Sequence, residues 1–512
     1  MLTPQRMNAI EARHLLVRTG FTPTQAEVDN IVGQSAQSAV ASIVTAAVAA
    51  KPKYPAPDFT SQPPPIAQSL LKTEDERQAQ RQQQLREGLE IKAWWMREML
   101  ETNTPLAERM TLFWHNHFAT SMQKVGRSQA MWSQHLQLRS QAVGSFRTLL
   151  HAIAKDPAML VYLDGNNNKK EAPNENFARE VMELFTLGEA TQGGGYTEQD
   201  IKEVARSFTG WSVERDDFSF KFRKPQHDAA SKTVLNHTGN FDGDEVLDIL
   251  IEQPATARFI VGKLWREFVS PTPDQTRIDQ IAHQFGRSNF SIQVALTELL
   301  MSNAFWDDKN RGSLIKSPVD LVVGTVRQFG FSYNDVLPFV LKVDQLGQNL
   351  LMPPNVKGWP GYTDWINATT LLERKRFSEQ LFRTVEPRND GKMQDPLRPN
   401  ELRRAELRTN MLKNDMRNEM MQGASAQTQR SMRALGREGI MRVAQSMATI
   451  RFDSDKFLET YGGHTDREPK QEVKDALANV LFASSATQTI ANGTVGIAYL
   501  RAQTLDPAYQ LK

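Results

Sequence analysis

The chain has 512 residues, a length that suits roughly two or three domains or one large helical domain with attachments. Its 61 Lys and Arg residues against 59 Asp and Glu residues give a net charge of +2, so no overall field attracts nucleic acid or an anionic membrane. Cysteine is absent, which excludes disulfides, thiolate metal sites and cysteine nucleophiles.

No run of the sequence approaches the roughly 18 apolar residues that a membrane span needs. Residues 1–21, MLTPQRMNAIEARHLLVRTGF, contain no apolar h-region and no twin-arginine pair. We therefore expect no membrane span and no signal peptide in this chain.

Hydrophobic periodicity predicts a mainly α fold, with a large helical domain, a small β-hairpin insertion and a helical C-terminal extension. Residues 1–50 form an N-terminal helical segment, and the proline-rich residues 51–73 form a linker or arm. A helical core follows over residues 74–384. Residues 385–512 are predicted to be a basic, Met- and Arg-rich helical tail that is partly flexible.

The β-hairpin is predicted in the middle of the chain. Residues 218–222, FSFKF, alternate with period two, as a half-buried strand does. We expect this strand to pair with residues 232–235 in a hairpin around His227 and Asp228.

The segment at residues 173–188, PNENFAREVMELFTLG, carries the clearest candidate chemistry. At about 100° per residue, its apolar side chains share one helical face and its ionisable and amide side chains share the other. Glu180 and Glu183 stand at i, i+3, a spacing at which two carboxylates hold a hard cation or divide acid and base roles.

A structural reading of the same segment is also open. Arg179 has glutamates four residues before and four residues after it, and each such pair contributes about 0.2–0.5 kcal/mol on an exposed helix. That ladder does not explain Asn174 and Asn176, which are poor residues for a helix interior and suit a cap or a site.

Two further segments offer metal ligands. His115 and His117, in FWHNHF, point about 200° apart in a helix, but a helix end near residues 119–121 would let them converge. His227 and Asp228 lie in a predicted loop, where functional residues concentrate, and would complete a mixed His/carboxylate site. The alternative for the first pair is that they are hydrogen-bonded core histidines.

The order of these motifs resembles the bacterial family catalogued as domain of unknown function 1800. The resemblance runs from about residue 8 to 380 and is carried by residues 13–18, 113–118, 156–164, 174–185, 209–211, 227–228 and 353–361. Val181 and the pair Asn236–His237 depart from the family pattern, and we expect the tail after residue 385 to lie outside it.

The resemblance implies a partner and a compartment but assigns no catalytic residue. It implies a bacterial, often exported protein, frequently encoded beside a sulfatase-like protein of the domain of unknown function 1501 family. This chain would then be cytoplasmic, or periplasmic by export together with that partner. We expect no nucleic-acid partner, because the acids of the Arg-rich tail dilute its positive charge.

The leading hypothesis is a metal-dependent enzyme, either a hydrolase or an oxidoreductase, with a divalent metal ion such as Mn, Fe or Zn. The predicted metal ligands are His115, His117, Glu183, His227 and Asp228, and the predicted catalytic residues are Arg179, Glu180 and Glu183. Asn174, Asn176 and Trp211 are predicted to bind substrate. The alternative is a non-enzymatic helical scaffold, or a chaperone-like partner, for the sulfatase-like protein.

Overall fold

The computed structural model of the chain describes residues 3–62, 73–214, 216–382 and 426–512. Across these ranges the fold is mainly α with two small antiparallel hairpins, which confirms the predicted class. No helix in the described ranges is long and apolar enough to cross a membrane.

The first part of the chain is entirely helical apart from its connections. Its helices are α1 (Ala9–Thr19), α2 (Gln25–Ile31), α3 (Ala36–Val48), α4 (Glu74–Glu101), α5 (Pro105–His117), α6 (Met122–Val125), α7 (Ser128–Ser140), α8 (Phe146–Ala154) and α9 (Pro157–Tyr162). Thr73 caps the long helix α4 with a capping box, and Pro105 occupies the first turn of α5.

The middle part contains the hairpins and more helices. The helices are α10 (Glu175–Glu180), which continues into a π-helix (Val181–Thr186), then α11 (Glu198–Ser207), α12 (Gly243–Glu252), α13 (Pro254–Phe268), α14 (Gln275–Arg287), α15 (Ile292–Leu300) and α16 (Asn303–Trp306). The strands are β1 (Trp211–Val213), β2 (Phe220–Phe222), β3 (Lys232–Val234) and β4 (His237–Gly239).

The predicted strand pairing is wrong. Strand β2 pairs with β1, and β3 pairs with β4, so there are two hairpins in sequence order. Leu235 and Asn236 both have positive φ, 48° and 68°, as a two-residue turn between tightly paired strands requires. The sequence reading missed this turn because leucine is unusual at such a position. His227 and Asp228 lie between the two hairpins.

The last part of the chain packs onto the same body. Its helices are α17 (Pro318–Phe329), α18 (Leu337–Gln345), α19 (Ala368–Phe382), α20 (Ala426–Thr449), α21 (Ser454–Glu459), α22 (Gln471–Leu481) and α23 (Gly496–Leu505). Phe452, Leu477 and Tyr509 share one apolar core with Val319 and Phe382. Residues 385–425 of the predicted tail lie outside the described residues.

The predicted arm is packed where the structure describes it. Phe59 is buried, and the backbone N–H groups of Lys53 and Tyr54 donate to the Glu98 carboxylate at 3.1 and 2.7 Å. Residues 63–72 of the arm lie outside the described residues. Residues 51–62 therefore cover α4 rather than extend away from it.

Helix α5 joins the two apolar cores of the protein. Its Trp114 belongs to the core formed mainly by α3 and α8–α15, and its Leu112 belongs to the core that includes α4, α17 and residues 447–509. Because α5 lies between both cores, the residues at its C-terminal end are fixed by packing on several sides. These residues are 115–117, the HNH of FWHNHF.

Candidate active site

A pocket of about 400 Å³ lies beside the C-terminal end of α5, one face of α13 and the loop at residues 353–365. Small-molecule sites commonly measure about 300–1,000 Å³. Its lining includes five Lys and Arg residues and three Asp and Glu residues: Arg109, Lys263, Arg266, Lys357 and Lys512, with Glu267, Asp320 and Asp364. The excess of positive charge suits an anionic ligand.

Asn116 attaches the loop at residues 353–361 to α5. Its side-chain oxygen accepts a hydrogen bond from the backbone N–H of Trp359 at 2.6 Å. Gly358 has φ +92°, and a Cβ added there would lie 2.2 Å from the same oxygen. Residue 358 must therefore be glycine for its backbone to lie this close to Asn116. This close contact sets the position of Trp359 in the pocket wall.

His117 has one defined tautomer. Its Nε2 lies 3.1 Å from the backbone carbonyl of Phe185, so Nε2 carries the hydrogen and donates it. The unprotonated Nδ1 therefore faces Lys263, whose Nζ lies 2.9 Å away and donates to it. Burial, and secondarily the charge of Lys263, hold the pKa of His117 well below its ordinary value.

The carbonyl that orients His117 belongs to the π-helix. Within this segment the Thr186 hydroxyl donates to the Val181 carbonyl at 2.6 Å, and the N–H of Leu187 donates to the Met182 carbonyl at 2.8 Å. Short π-helical turns inside α-helices are often found at functional sites. The segment at residues 173–188 thus reaches the pocket through its backbone at Phe185.

Lys263 is enclosed at the pocket floor and forms no ion pair with any described residue. Burial, reinforced by the charge of Arg266, lowers the pKa of Lys263 to about 7. Solvent reaches part of its side chain through the pocket. Arg266 follows three residues later on α13, so both cations lie on one helical face.

The buried cations of the opposite wall are compensated. Arg109 contacts the Asp320 carboxylate and lies 3.0 Å from Glu267, while Lys512 Nζ lies 2.7 Å from Asp320. These two cations hold the pKa of Asp320 far below its ordinary value despite its burial. This cluster is a structural wall, whereas Lys263 and Arg266 have no carboxylate partner among the residues that the structure describes.

Two residues of the loop complete the pocket. The indole N–H of Trp359 is buried and has no hydrogen-bond partner in the described part of the chain, although the residue lines the pocket. Such a donor is costly to leave unsatisfied, by about 1–3 kcal/mol. Tyr362 has φ +57°, an uncommon conformation for a non-glycine residue, and its hydroxyl donates to the Arg266 carbonyl at 3.1 Å.

The carboxylates predicted to be catalytic lie outside this pocket. Glu180 and Glu183 are half-buried, and burial followed by repulsion from Glu183 raises the pKa of Glu180. Arg179 points outward and pairs with Glu198 at 2.7 Å and Glu175 at 3.4 Å. Of the two i, i+4 ion pairs expected on this helix, the pair between Arg179 and Glu175 is therefore present. The second partner of Arg179 is Glu198 of α11.

The residues predicted to bind substrate have structural contacts. The Asn174 side chain accepts from the N–H of Asn176 at 2.9 Å and caps α10. The Asn176 amide donates to the Leu163 carbonyl at 3.1 Å. Trp211 is buried, with its ring 4.9 Å from that of Phe208. None of the three lines the pocket of about 400 Å³.

The predicted metal ligands are not brought together. His115 is buried with its ring 4.9 Å from Trp95, and burial lowers its pKa to about 3. Asp228 pairs with Arg206 at 2.7 Å, and His227 Nδ1 lies 2.9 Å from the Thr209 carbonyl. Among the described residues, no group of three or more His, Asp or Glu side chains has the geometry to hold one metal ion.

The sequence reading selected His117 but missed Lys263, Arg266 and Trp359. In the sequence, Lys263 looks like any other lysine of an amphipathic helix. Its partner His117 is 146 residues away in the chain. The available signal is the glycine- and proline-rich loop at residues 353–361, whose composition excludes a helix and indicates an ordered loop.

Comparisons with known proteins give one result. No curated protein and no solved structure matches the chain. The family model described as Protein of unknown function (DUF1800) matches residues 14–490, so the expectation that the family pattern ends near residue 380 is wrong. Because this match covers nearly the whole sequence, the chain belongs to the family described as Protein of unknown function (DUF1800).

Proposed function

We propose that this protein is an enzyme that binds a small anionic substrate in the pocket beside α5 and α13, with Lys263 as the group that accepts a proton from it. The observation that carries this proposal is the contact of Lys263 Nζ with His117 Nδ1 at 2.9 Å in a pocket where Lys263 has no carboxylate partner among the described residues. An enclosed lysine without a counter-ion is a candidate general base.

The charges of the pocket support an anionic substrate. Lys263 and Arg266 lie on one face of α13 and form no ion pair with described residues. The indole N–H of Trp359 adds an unpartnered donor in the same wall. A carboxylate, phosphate or sulfate group offers the oxygens that all three donors would bind.

The proton transfer follows from the orientation of His117. Neutral Lys263 gives one N–H to His117 Nδ1 and keeps its lone pair for the substrate. A proton moves from the substrate to Nζ, which leaves a substrate anion and an ammonium group. The ammonium keeps its hydrogen bond to His117, and the negative charge of the bound substrate stabilises it.

The hypotheses drawn from the sequence stay predictions. A metal-dependent hydrolase or oxidoreductase with a divalent metal ion has little geometric support, because His115, Glu183 and His227 lie in separate surroundings. A scaffold for a sulfatase-like protein rests on the resemblance alone, as does export together with that partner. The pocket gives a more specific hypothesis than either.

Anion binding tests the proposal directly. Orthophosphate, sulfate and succinate are titrated into the full chain by isothermal calorimetry, with Lys263→Met and Arg266→Gln variants alongside. We expect saturable binding of at least one anion, weakened tenfold or more in either variant. Arg258→Gln is the matched control, since Arg258 is an exposed arginine of the same helix paired with Asp279 at 3.5 Å. Absence of binding, or equal binding in all variants, contradicts the proposal.

A further inference from the structure

A second cavity, of about 250 Å³, lies beside the protein's long helix α4 and shares no residue with the pocket described above. One wall is a continuous stripe of α4 with helical spacing: residues 81, 84, 85, 88, 89 and 92. The other walls come from α6, the start of α7, Met352 and Arg430 of α20. Four separate segments therefore build it.

The two sides of the cavity pack closely at its floor. A Cβ added at Gly88 would lie 2.4 Å from Met122 Sδ, so the absence of a side chain at residue 88 brings α4 and α6 together. The Gln84 amide donates to the Gly126 carbonyl at 2.5 Å. A glycine inside a helix costs about 0.5–1 kcal/mol relative to alanine, which close packing offsets here.

The charges of the cavity have one sign. The described residues that line it include Arg81, Lys92, Arg127 and Arg430 and no Asp or Glu. Lys92 is only 4% exposed and donates to the side-chain oxygen of Asn349, and the charge of the buried Asp344 carboxylate acts on it from outside the cavity lining. Arg81 pairs with Glu74 at 2.5 Å at the exposed rim. The described lining thus carries four basic side chains and no acid, and the carboxylates of Asp344 and Glu74 stand outside it.

The remaining lining combines four apolar side chains with the polar residues Gln84, Gln123 and Ser128. Leu85, Met122 and Met352 present half-buried side chains to the cavity, and Leu89 is buried in its wall. Methionine side chains are flexible and adapt to ligands of irregular shape. A purely inorganic anion would leave these apolar surfaces in water, whereas an uncharged lipid would place no negative charge among the four basic side chains of the lining.

We infer that this cavity binds an amphipathic carboxylate with a short acyl chain. The carboxylate takes the position beside Lys92, and the acyl chain lies against Leu85, Met122 and Met352. This site is independent of the proposed reaction, and its ligand needs no contact with Lys263 or His117. It accounts for a buried lysine and an exposed apolar lining in one cavity.

Octanoate binding to the full chain tests this inference. Two matched ligands serve as comparisons: octan-1-ol lacks the negative charge, and acetate lacks the long acyl chain. We expect octanoate to bind by calorimetry, and acetate and octan-1-ol to bind at least tenfold more weakly. Lys92→Met and Leu85→Trp should each weaken octanoate binding tenfold or more. Circular dichroism reports whether each variant folds. If Lys92→Met does not fold, Leu85→Trp still tests the inference, because residue 85 is half-exposed.

Two controls separate this cavity from the first pocket. Lys202→Met, at an exposed lysine of α11, and Lys263→Met should both leave octanoate binding unchanged. Binding that is lost in Lys263→Met belongs to the first pocket and overturns the inference. Equal binding of octanoate and octan-1-ol, unaltered binding in Leu85→Trp, or no binding at all overturns it as well.

Discussion

The backbone of Gly358 lies against Asn116 so closely that a Cβ on residue 358 would be 2.2 Å from the Asn116 side-chain oxygen. The same oxygen accepts the N–H of Trp359 at 2.6 Å. Asn116 separates His115, in the aromatic core, from His117, in the pocket. The three residues of the HNH sequence thus perform three different structural tasks.

Gly358→Ala should loosen the loop that forms one pocket wall. The alanine would clash with Asn116 and would hold φ +92°, which costs roughly 1–3 kcal/mol for a non-glycine residue. We expect a loss of stability of that size in urea unfolding and weaker binding of the probe anions. Gly361→Ala is the matched control, because nothing lies within 4 Å of a Cβ there. Equal behaviour of the two variants would refute the role of this contact.

Asp320→Asn should destabilise the protein strongly. Asp320 contacts Arg109 and lies 2.7 Å from Lys512 Nζ, and all three side chains are buried. Removing the carboxylate leaves cations without a partner, and breaking such a pair costs about 3–5 kcal/mol. Denaturant unfolding measures the loss. Asp364→Asn, at an exposed acid of the same pocket, should change stability by less than about 0.5 kcal/mol.

Lys263→Met should change how stability depends on pH. The folded-state pKa of Lys263 is about 7, whereas an unfolded lysine titrates near 10.4, so the unfolded state binds more protons between these values. Lys263 therefore makes the wild-type protein gain stability as pH rises from about 7 to 10, by at most about 1.4 kcal/mol per pH unit.

Urea unfolding at pH 7.0, 8.0 and 9.0 measures this dependence in the wild type and in Lys263→Met. The variant should show a smaller gain over the same range, because methionine carries no proton. Lys202→Met should retain the wild-type gain. Identical curves for all three proteins would show that Lys263 keeps an ordinary lysine pKa.

His115→Phe should reduce sensitivity to acid. Both ring nitrogens of His115 are buried and have no hydrogen-bond partner among the residues that the structure describes, and burial lowers the pKa of His115 to about 3. An unfolded histidine takes up a proton near pH 6.5, so stability is lost as pH falls from about 6.5 towards 3. His135 lies beside it with its pKa also lowered well below the ordinary value, so part of the acid sensitivity should remain.

The test compares unfolding at pH 7.5 and pH 5.0 in the wild type, His115→Phe and His283→Phe. The first variant should lose less stability on acidification than the wild type, by about 1 kcal/mol or more. The second, at an exposed histidine, should match the wild type. If His115→Phe loses as much stability on acidification as the wild type, another group causes the acid sensitivity.

The sequence predicted the helices well because their apolar periodicity and caps are local signals. It failed for the hairpin pairing, where the positive φ of Leu235 has no signal in the residue type. It also selected the charged face at Arg179, Glu180 and Glu183, although the contribution of that segment to the pocket is the Phe185 carbonyl. Backbone groups carry no residue-specific signature.

Lys263 was beyond prediction for a different reason. Its chemical character comes from enclosure and from His117, which is distant in the chain, and neither is visible in the local pattern of α13. The sequence predicts His117 as one of two histidines that share a metal ion. The structure instead directs His115 and His117 into separate surroundings, because they lie two residues apart on the same helix.

The protonation of Lys263 is the most direct test of the proposed function. The folded protein is treated briefly with acetic anhydride at pH values from 6 to 11, and modification of Lys263 is quantified by peptide mass spectrometry. A lysine model peptide in the same tube provides the reference, which titrates near ~10.4. We predict half-maximal reactivity of Lys263 near pH 7, and an upward shift when an anion is bound. Half-maximal reactivity at the pH of the model peptide would contradict the proposed role of Lys263 as a base.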